Sequence, residues 1–201
     1  SSQATRENEW HSPEERHEKN WVTLPANSRK RVLELAGDQI RFEKDSAGSK
    51  DNELKDSTDH SMGIIACGIA YNYLMENYPD GCPYPTLKVT RYPFPKELAL
   101  EMTKTCDTLL VIEEGQPLVE ERLRGILYDP EAKGHTIIKG RLDGTLPRTG
   151  ELTPDCVRKA LGLAPVEAYS KSEVAVPRPP ALCQGCGHRD FYTALNVVLK
   201  E

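Results

Sequence analysis

MGIIACGIAYNYLMENYPDG, Met62–Gly81, is the stretch that decides the fold. Met62 to Cys67 is a short, unbroken apolar run, the pattern of a strand covered on both faces, and it stops at Gly68. Beyond the glycine, Ile69, Tyr73 and Leu74 with Met75 and Tyr78 recur at helical spacing, until Pro79, Asp80 and Gly81 break the pattern. This reads as strand, glycine turn and helix. The same unit then repeats toward the C-terminus. TLKVT (Thr86–Thr90) reads as a second strand, and YPFPKELALEMTKTC (Tyr92–Cys106) as a second helix, with Pro95 suited to its first turn and Leu98 and Met102 facing inward. TLLVIEE (Thr108–Glu114) is a third strand, PLVEERLRGIL (Pro117–Leu127) a third helix and HTIIKG (His135–Gly140) a fourth strand. Strands alternating with helices through short connections predict an α/β fold: a mainly parallel sheet with flanking helices and right-handed crossovers.

Upstream of this core, residues 1–20 are almost entirely polar and read as a surface segment. After WVTLP, Asn27 is placed to cap a helix whose apolar positions are Val32, Leu35, Ala36 and Ile40, with an end near Phe42 or Lys44. SAGSKDNELKDSTDH (Ser46–His60) is poor in apolar residues and reads as a mobile linker. Downstream, RLDGTLPRTGEL (Arg141–Leu152) is a loop, and Thr153, Pro154 and Asp155 start a short helix ending at Gly162. Leu163 to Pro180 is a tether stiffened by Pro177, Pro179 and Pro180. Phe191, Leu195 and Val198 or Leu199 form a last helical stripe. Three parts follow: a helical connector and linker (1–60), an α/β domain (61–163), and a tether leading into the start of another domain (164–201).

The chain has 201 residues, a net charge of -5 and 28% charged residues, which suits one compact domain with extended flanks. The acidic balance argues against a nucleic-acid partner, since the basic residues near Arg31 are surrounded by carboxylates. No apolar stretch is long enough for a signal peptide or a membrane span. Six scattered cysteines do not make a secreted disulfide scaffold, so a reduced cytoplasmic setting is expected. A start without Met and an abrupt stop at Lys200–Glu201 raise the expectation of a piece of a longer polypeptide.

The most chemically suggestive motif is CQGCGH, Cys183–His188. C-x-x-C with Gly185 and Gly187 lets two sulfurs converge, which metal, iron–sulfur and thiol-exchange sites all require. A c-type haem needs His directly after the second Cys, and Gly187 intervenes. A thioredoxin-like pair would sit at a helix N-terminus, but here it follows a proline tether rather than a strand of its own fold. A zinc or iron–sulfur site needs about four ligands, and the motif has two cysteines. A glycine-rich turn with two unligated thiols is as good a reading as any of these. Cys67, Cys106 and Cys156 read as buried structural cysteines, and Cys82 lies in a loop. Gly63 and Gly68 belong to no phosphate-binding glycine pattern. Glu113 and Glu114 close a strand at its carboxyl end, where α/β sheets place ligands; the simpler reading is a solvated pair capping the next helix.

NWVTLPANSRKR (Asn20–Arg31), GIIACGIAYNYLME (Gly63–Glu76), TRYPFP (Thr90–Pro95), VIEEGQPLVEERLR (Val111–Arg124) and RPPALCQGCGHRDFYTAL (Arg178–Leu195) together span nearly the whole chain. In this order they resemble the alpha subunits of indolepyruvate ferredoxin oxidoreductases, in the thiamine-dependent 2-oxoacid:ferredoxin oxidoreductase superfamily. The resemblance implies that residues 61–163 are similar to a transketolase C-terminal domain and that 164–201 begin a thiamine diphosphate-binding domain. It further implies a parent enzyme with thiamine diphosphate, Mg²⁺ and iron–sulfur clusters, a beta subunit, and oxidative decarboxylation of arylpyruvates to arylacetyl-CoA with ferredoxin as acceptor. Cys183 and Cys186 become candidate cluster ligands, and Gly185, Cys186 and His188 candidate cofactor contacts; no residue is assigned a catalytic role. Where the family usually shows CPGCPHR, this chain carries Gln184 and Gly187, and it lacks a GDG-type diphosphate loop and the further cysteines of a cluster. The chain alone is therefore expected to be inactive. A self-standing metal-binding or thiol-redox module built on CQGCGH is the alternative.

Overall fold

The structure, a computed structural model, describes residues 22–128, 136–167, 172–174, 176 and 181–200. The polar segment 1–20, the tether prolines Pro177, Pro179 and Pro180, and His135 lie outside the described residues. The chain divides into two compact units, one up to Pro165 and one from Val166.

The elements run α1 (Pro25–Ala47), β1 (Glu53–Lys55), β2 (Gly63–Cys67), α2 (Ile69–Asn77), β3 (Thr86–Val89), α3 (Lys96–Met102), β4 (Thr108–Ile112), α4 (Leu118–Ile126), β5 (Ile137–Lys139), α5 (Pro154–Ala160) and α6 (Gly187–Val198). In the first unit the strands form one sheet in the order β1-β3-β2-β4-β5. β3, β2, β4 and β5 are parallel, and β1 lies antiparallel on the β3 edge. This is an α/β fold with a mainly parallel sheet, consistent with a domain like the transketolase C-terminal domain.

Alternation along the central strands builds two half-cores. Ile65, Leu87, Leu109 and Val111 pack with Ala99 and Met102 of α3 and Val119 and Leu123 of α4. Ile64, Ala66, Leu110 and Ile112 pack on the other face with Ala70 and Leu74 of α2 and Val157 of α5, joined by Leu146 and Leu152. Each Ile, Leu, Val or Met side chain among them taken fully out of water contributes about 1.5–3 kcal/mol. That explains why β2 is buried along its whole length and reads as a continuous apolar run.

Two expectations are corrected. Residues 46–60, read as a mobile linker, carry β1 and a buried polar knot. Asn52, 6% exposed, donates through Nδ2 to Ser46 O (3.0 Å), Ser46 Oγ (3.0 Å) and Arg91 O (2.9 Å), and its Oδ1 accepts from the amides of Thr90 (2.8 Å) and Arg91 (2.9 Å). Its partners include residues about forty positions away, so local composition carries no sign of it. The first helix is not capped by Asn27: its N-cap is Leu24 and Pro25 opens it, as proline's missing N–H allows. It also runs past Lys44 to Ala47, where the buried Ser46 hydroxyl reaches Arg91 O (3.0 Å) and Pro93 O (2.5 Å). Val32, Leu35 and Ile40 are helical as expected, yet they are exposed.

The short helix after Arg141–Leu152 forms as expected, with the Thr153 hydroxyl accepting from the Cys156 amide at 3.3 Å. In the second unit, α6 has no buried residue; Phe191 and Tyr192 meet edge to face at 5.5 Å. Among the described residues no helix is long and apolar enough to cross a membrane.

Candidate functional site

β2 connects through α2 to β3 on one side of the sheet, while β3 and β4 connect through α3 and α4 across the opposite face to strands on the other side. The chain therefore leaves the carboxyl ends of β2 and β4 in diverging directions, which opens a crevice at the topological switch point. A cavity of about 430 Å³ lies there, lined by Cys67, Gly68 and Ile69 after β2, Val89, Thr90 and Tyr92 after β3, and Glu113, Glu114, Gln116 and Leu118 after β4. Gly68 makes the turn from β2 into α2 at φ 55°, a backbone region that disfavours a Cβ.

The chemistry of this crevice is set by burial. Cys67 is 7% exposed, and burial, then the charge of Glu113, push its thiol up to about 12, against a hydrogen bond with Tyr92 that pulls it down. The Tyr92 hydroxyl is itself raised by burial and by Cys67. Cys67 is thus a buried thiol without nucleophilic character, as its place at the end of an apolar strand suggests. Timed alkylation with iodoacetamide at mildly alkaline pH, read by peptide mass spectrometry, should label exposed Cys183 while Cys67 in the folded protein reacts roughly a thousandfold more slowly than free cysteine, following its thiolate fraction. Equal labelling of the two would refute that assignment.

Glu113 and Glu114 part company. Glu113 is buried, and its two oxygens accept from the amides of Val119 and Glu120 at 2.9 Å each, so it does cap α4, but away from solvent. Burial raises its carboxyl pKa, and these two amides pull it down. Glu114 is exposed at the crevice and accepts a long bond from the Leu152 amide (3.4 Å).

Beneath the cap lies an ionic knot that sequence reasoning missed. Glu120 is fully buried and accepts from Arg124 Nη2 (2.8 Å), the Arg141 amide (2.7 Å) and the Leu142 amide (3.1 Å). Buried Arg141 donates through Nε to Glu113 O (2.9 Å) and through Nη1 to Arg148 O (3.3 Å). Gly140 must be glycine, because a Cβ there would lie 2.7 Å from Glu120 Cδ. The available signals were slight: the i, i+4 spacing of Glu120 and Arg124, and a glycine after β5. Glu113 and Glu120 are each held on both oxygens by fixed donors, which gives both a structural role.

In the second unit, Gly185 (φ 77°) turns the chain so that the Cys186 amide reaches Cys183 O at 3.3 Å, and Cys186 becomes the N-cap residue of α6. Cys183 is exposed and Cys186 half-buried, with Cys186 Sγ 3.5 Å from His188 Nδ1. Of the four residues named from the sequence, Cys183, Gly185 and Cys186 thus share one turn, and His188 follows in the first turn of α6. A cluster takes about four ligands. Among the described residues no group of three or more His, Cys, Asp or Glu is placed to hold a metal, so the turn by itself does not fit a complete cluster.

The chain is 33% identical over 189 residues to the indolepyruvate oxidoreductase subunit IorA of Methanothermobacter marburgensis, 32% over 197 residues to that of Methanothermobacter thermautotrophicus, and 31% over 201 residues to that of Archaeoglobus fulgidus. These matches take in 90%, 90% and 93% of this chain. The chain spans only about 30% of the length of these curated relatives. No family model matches it, and no solved structure does.

Proposed function

We propose that this chain, a homologue of the indolepyruvate oxidoreductase IorA subunits, is the scaffold and interface part of an oxidoreductase that oxidatively decarboxylates arylpyruvates to arylacetyl-CoA with ferredoxin as electron acceptor. The observation that supports the proposal is the similarity along nine tenths of the chain to proteins named indolepyruvate oxidoreductase subunit IorA. The parent protein would use thiamine diphosphate with Mg²⁺ and iron–sulfur clusters, work with a beta subunit, and take coenzyme A and a 2-oxoacid. Cys183 and Cys186 would be two ligands toward a cluster, with Gly185 and His188 beside the cofactor, and the other ligands would come from outside the described residues. Six free thiols suit a reducing cytoplasm.

The chemistry of the first unit supports a scaffold role. Thiamine diphosphate, coenzyme A and 2-oxoacids are anions, whereas the sheet's ligand-binding end carries Glu113 and Glu114 and none of its ten lining residues is basic. The exposed apolar residues of α1, among them Val32, Leu33, Leu35 and Ile40, offer a face for a neighbouring part of the enzyme. Calorimetry on the chain by itself should show no tight, Mg²⁺-dependent uptake of thiamine diphosphate. Saturable micromolar binding would overturn the scaffold reading.

A further inference from the structure

The crevice at the carboxyl end of the sheet is a separate matter from that enzyme's anionic reactants. We infer that it is a binding site for a small organic cation with an apolar body, of which a primary arylalkylamine is the simplest member. Its position is the one at which open α/β sheets hold ligands, and its volume of about 430 Å³ lies in the range of small-molecule pockets.

Its lining states the chemistry. Val89 and Cys67 are buried apolar surface, and Ile69, Tyr92 and Leu118 add exposed apolar side chains. These groups fit a ring or short alkyl chain, and the Tyr92 face also suits a cation. Against the apolar walls stand two carboxylates. Glu113 is fixed by the α4 amides, whereas Glu114 is exposed and, among the described residues, holds only the long Leu152 bond on one oxygen. Thr90 and Gln116 complete the polar part of the lining. With no basic lining residue, a carboxylate or phosphate entering here meets two like charges, while an ammonium meets opposite ones. The site stands on the first unit's own geometry and does not depend on the oxidoreductase reading; a cofactor-free calorimetric result leaves it untouched.

A matched pair of probes isolates the charge. Phenethylamine and phenylacetate carry the same ring and opposite charges, and each is titrated into the ¹⁵N-labelled 201-residue chain while amide shifts are followed. Phenethylamine should give saturable shifts at Ile69, Thr90 and Gln116 in the millimolar range expected of a fragment-sized ligand. Phenylacetate should bind at least about tenfold more weakly, and Glu114→Gln should weaken the amine by about tenfold, the equivalent of ~1.4 kcal/mol. Glu114 is exposed, so that variant retains the fold, which its own amide spectrum verifies. Leu118→Ser should weaken both probes. Equal or tighter binding of phenylacetate, shifts centred elsewhere, no saturable shift, or an unchanged amine affinity in Glu114→Gln would each overturn the inference.

Discussion

Glu120→Ala should cost about 3–5 kcal/mol of stability, because it leaves a half-buried arginine without its counter-ion and two amides without their acceptor. For a domain of this size the thermal midpoint should fall by about 10–20 °C. The side chain is fully buried and serves Arg124, the Arg141 amide and the Leu142 amide together. Removing it leaves Arg124, which also donates to Ile138 O at 2.8 Å, without its counter-ion. It also frees the 140–142 turn, which tight packing on Glu120 holds against α4. Glu120→Gln should fall between wild type and alanine, since an amide oxygen still accepts but carries no charge for Arg124. Urea denaturation followed by circular dichroism checks both. A loss below about 1 kcal/mol in Glu120→Ala would mean that the knot is replaceable by water.

Asn52→Ala should destabilise the first unit by about 2–4 kcal/mol, because it takes one partner from each of two part-buried amides and two carbonyls. Those groups are the amides of Thr90 and Arg91 and the carbonyls of Ser46 and Arg91. The informative comparison is Asn52→Asp, nearly identical in shape. It would place an oxygen where Nδ2 now donates, facing Ser46 O and Arg91 O, and should be at least as damaging as alanine. Ser46→Ala should cost about 1 kcal/mol, one hydrogen-bonding group's worth. If Asn52→Asp were neutral in urea denaturation, residues 46–60 would indeed behave as the linker their composition suggests.

The parts of the fold that could be read in advance are those with local causes. GIIAC is apolar at every position because α2 and α5 cover one face of the sheet and α3 and α4 the other. Thr153 caps α5 through its own hydroxyl three residues ahead. The turn at Cys183–Cys186 was legible in the same way, since a glycine between two close cysteines sets its geometry. Glu113 was half legible: its place before a helix announced a cap, but its burial depends on Arg141 and the loop after β5, which arrive from elsewhere in the chain. The crevice was hardly legible at all. Its ten lining residues come from three strand ends and spell no motif together.

Periodicity and glycine placement in the amino-acid sequence alone determined the alternation of strands and helices, the mainly parallel sheet, and the turn from Cys183 to Cys186. Only the tertiary structure decided that β1 joins the sheet, that Asn52 and Glu120 are its buried polar anchors, and that the switch point is an acidic, apolar-walled crevice. The physical reason is range. A strand or a cap is specified by atoms a few residues apart, whereas a buried hydrogen-bond knot or a cavity's charge is specified by residues that only the completed fold brings into contact.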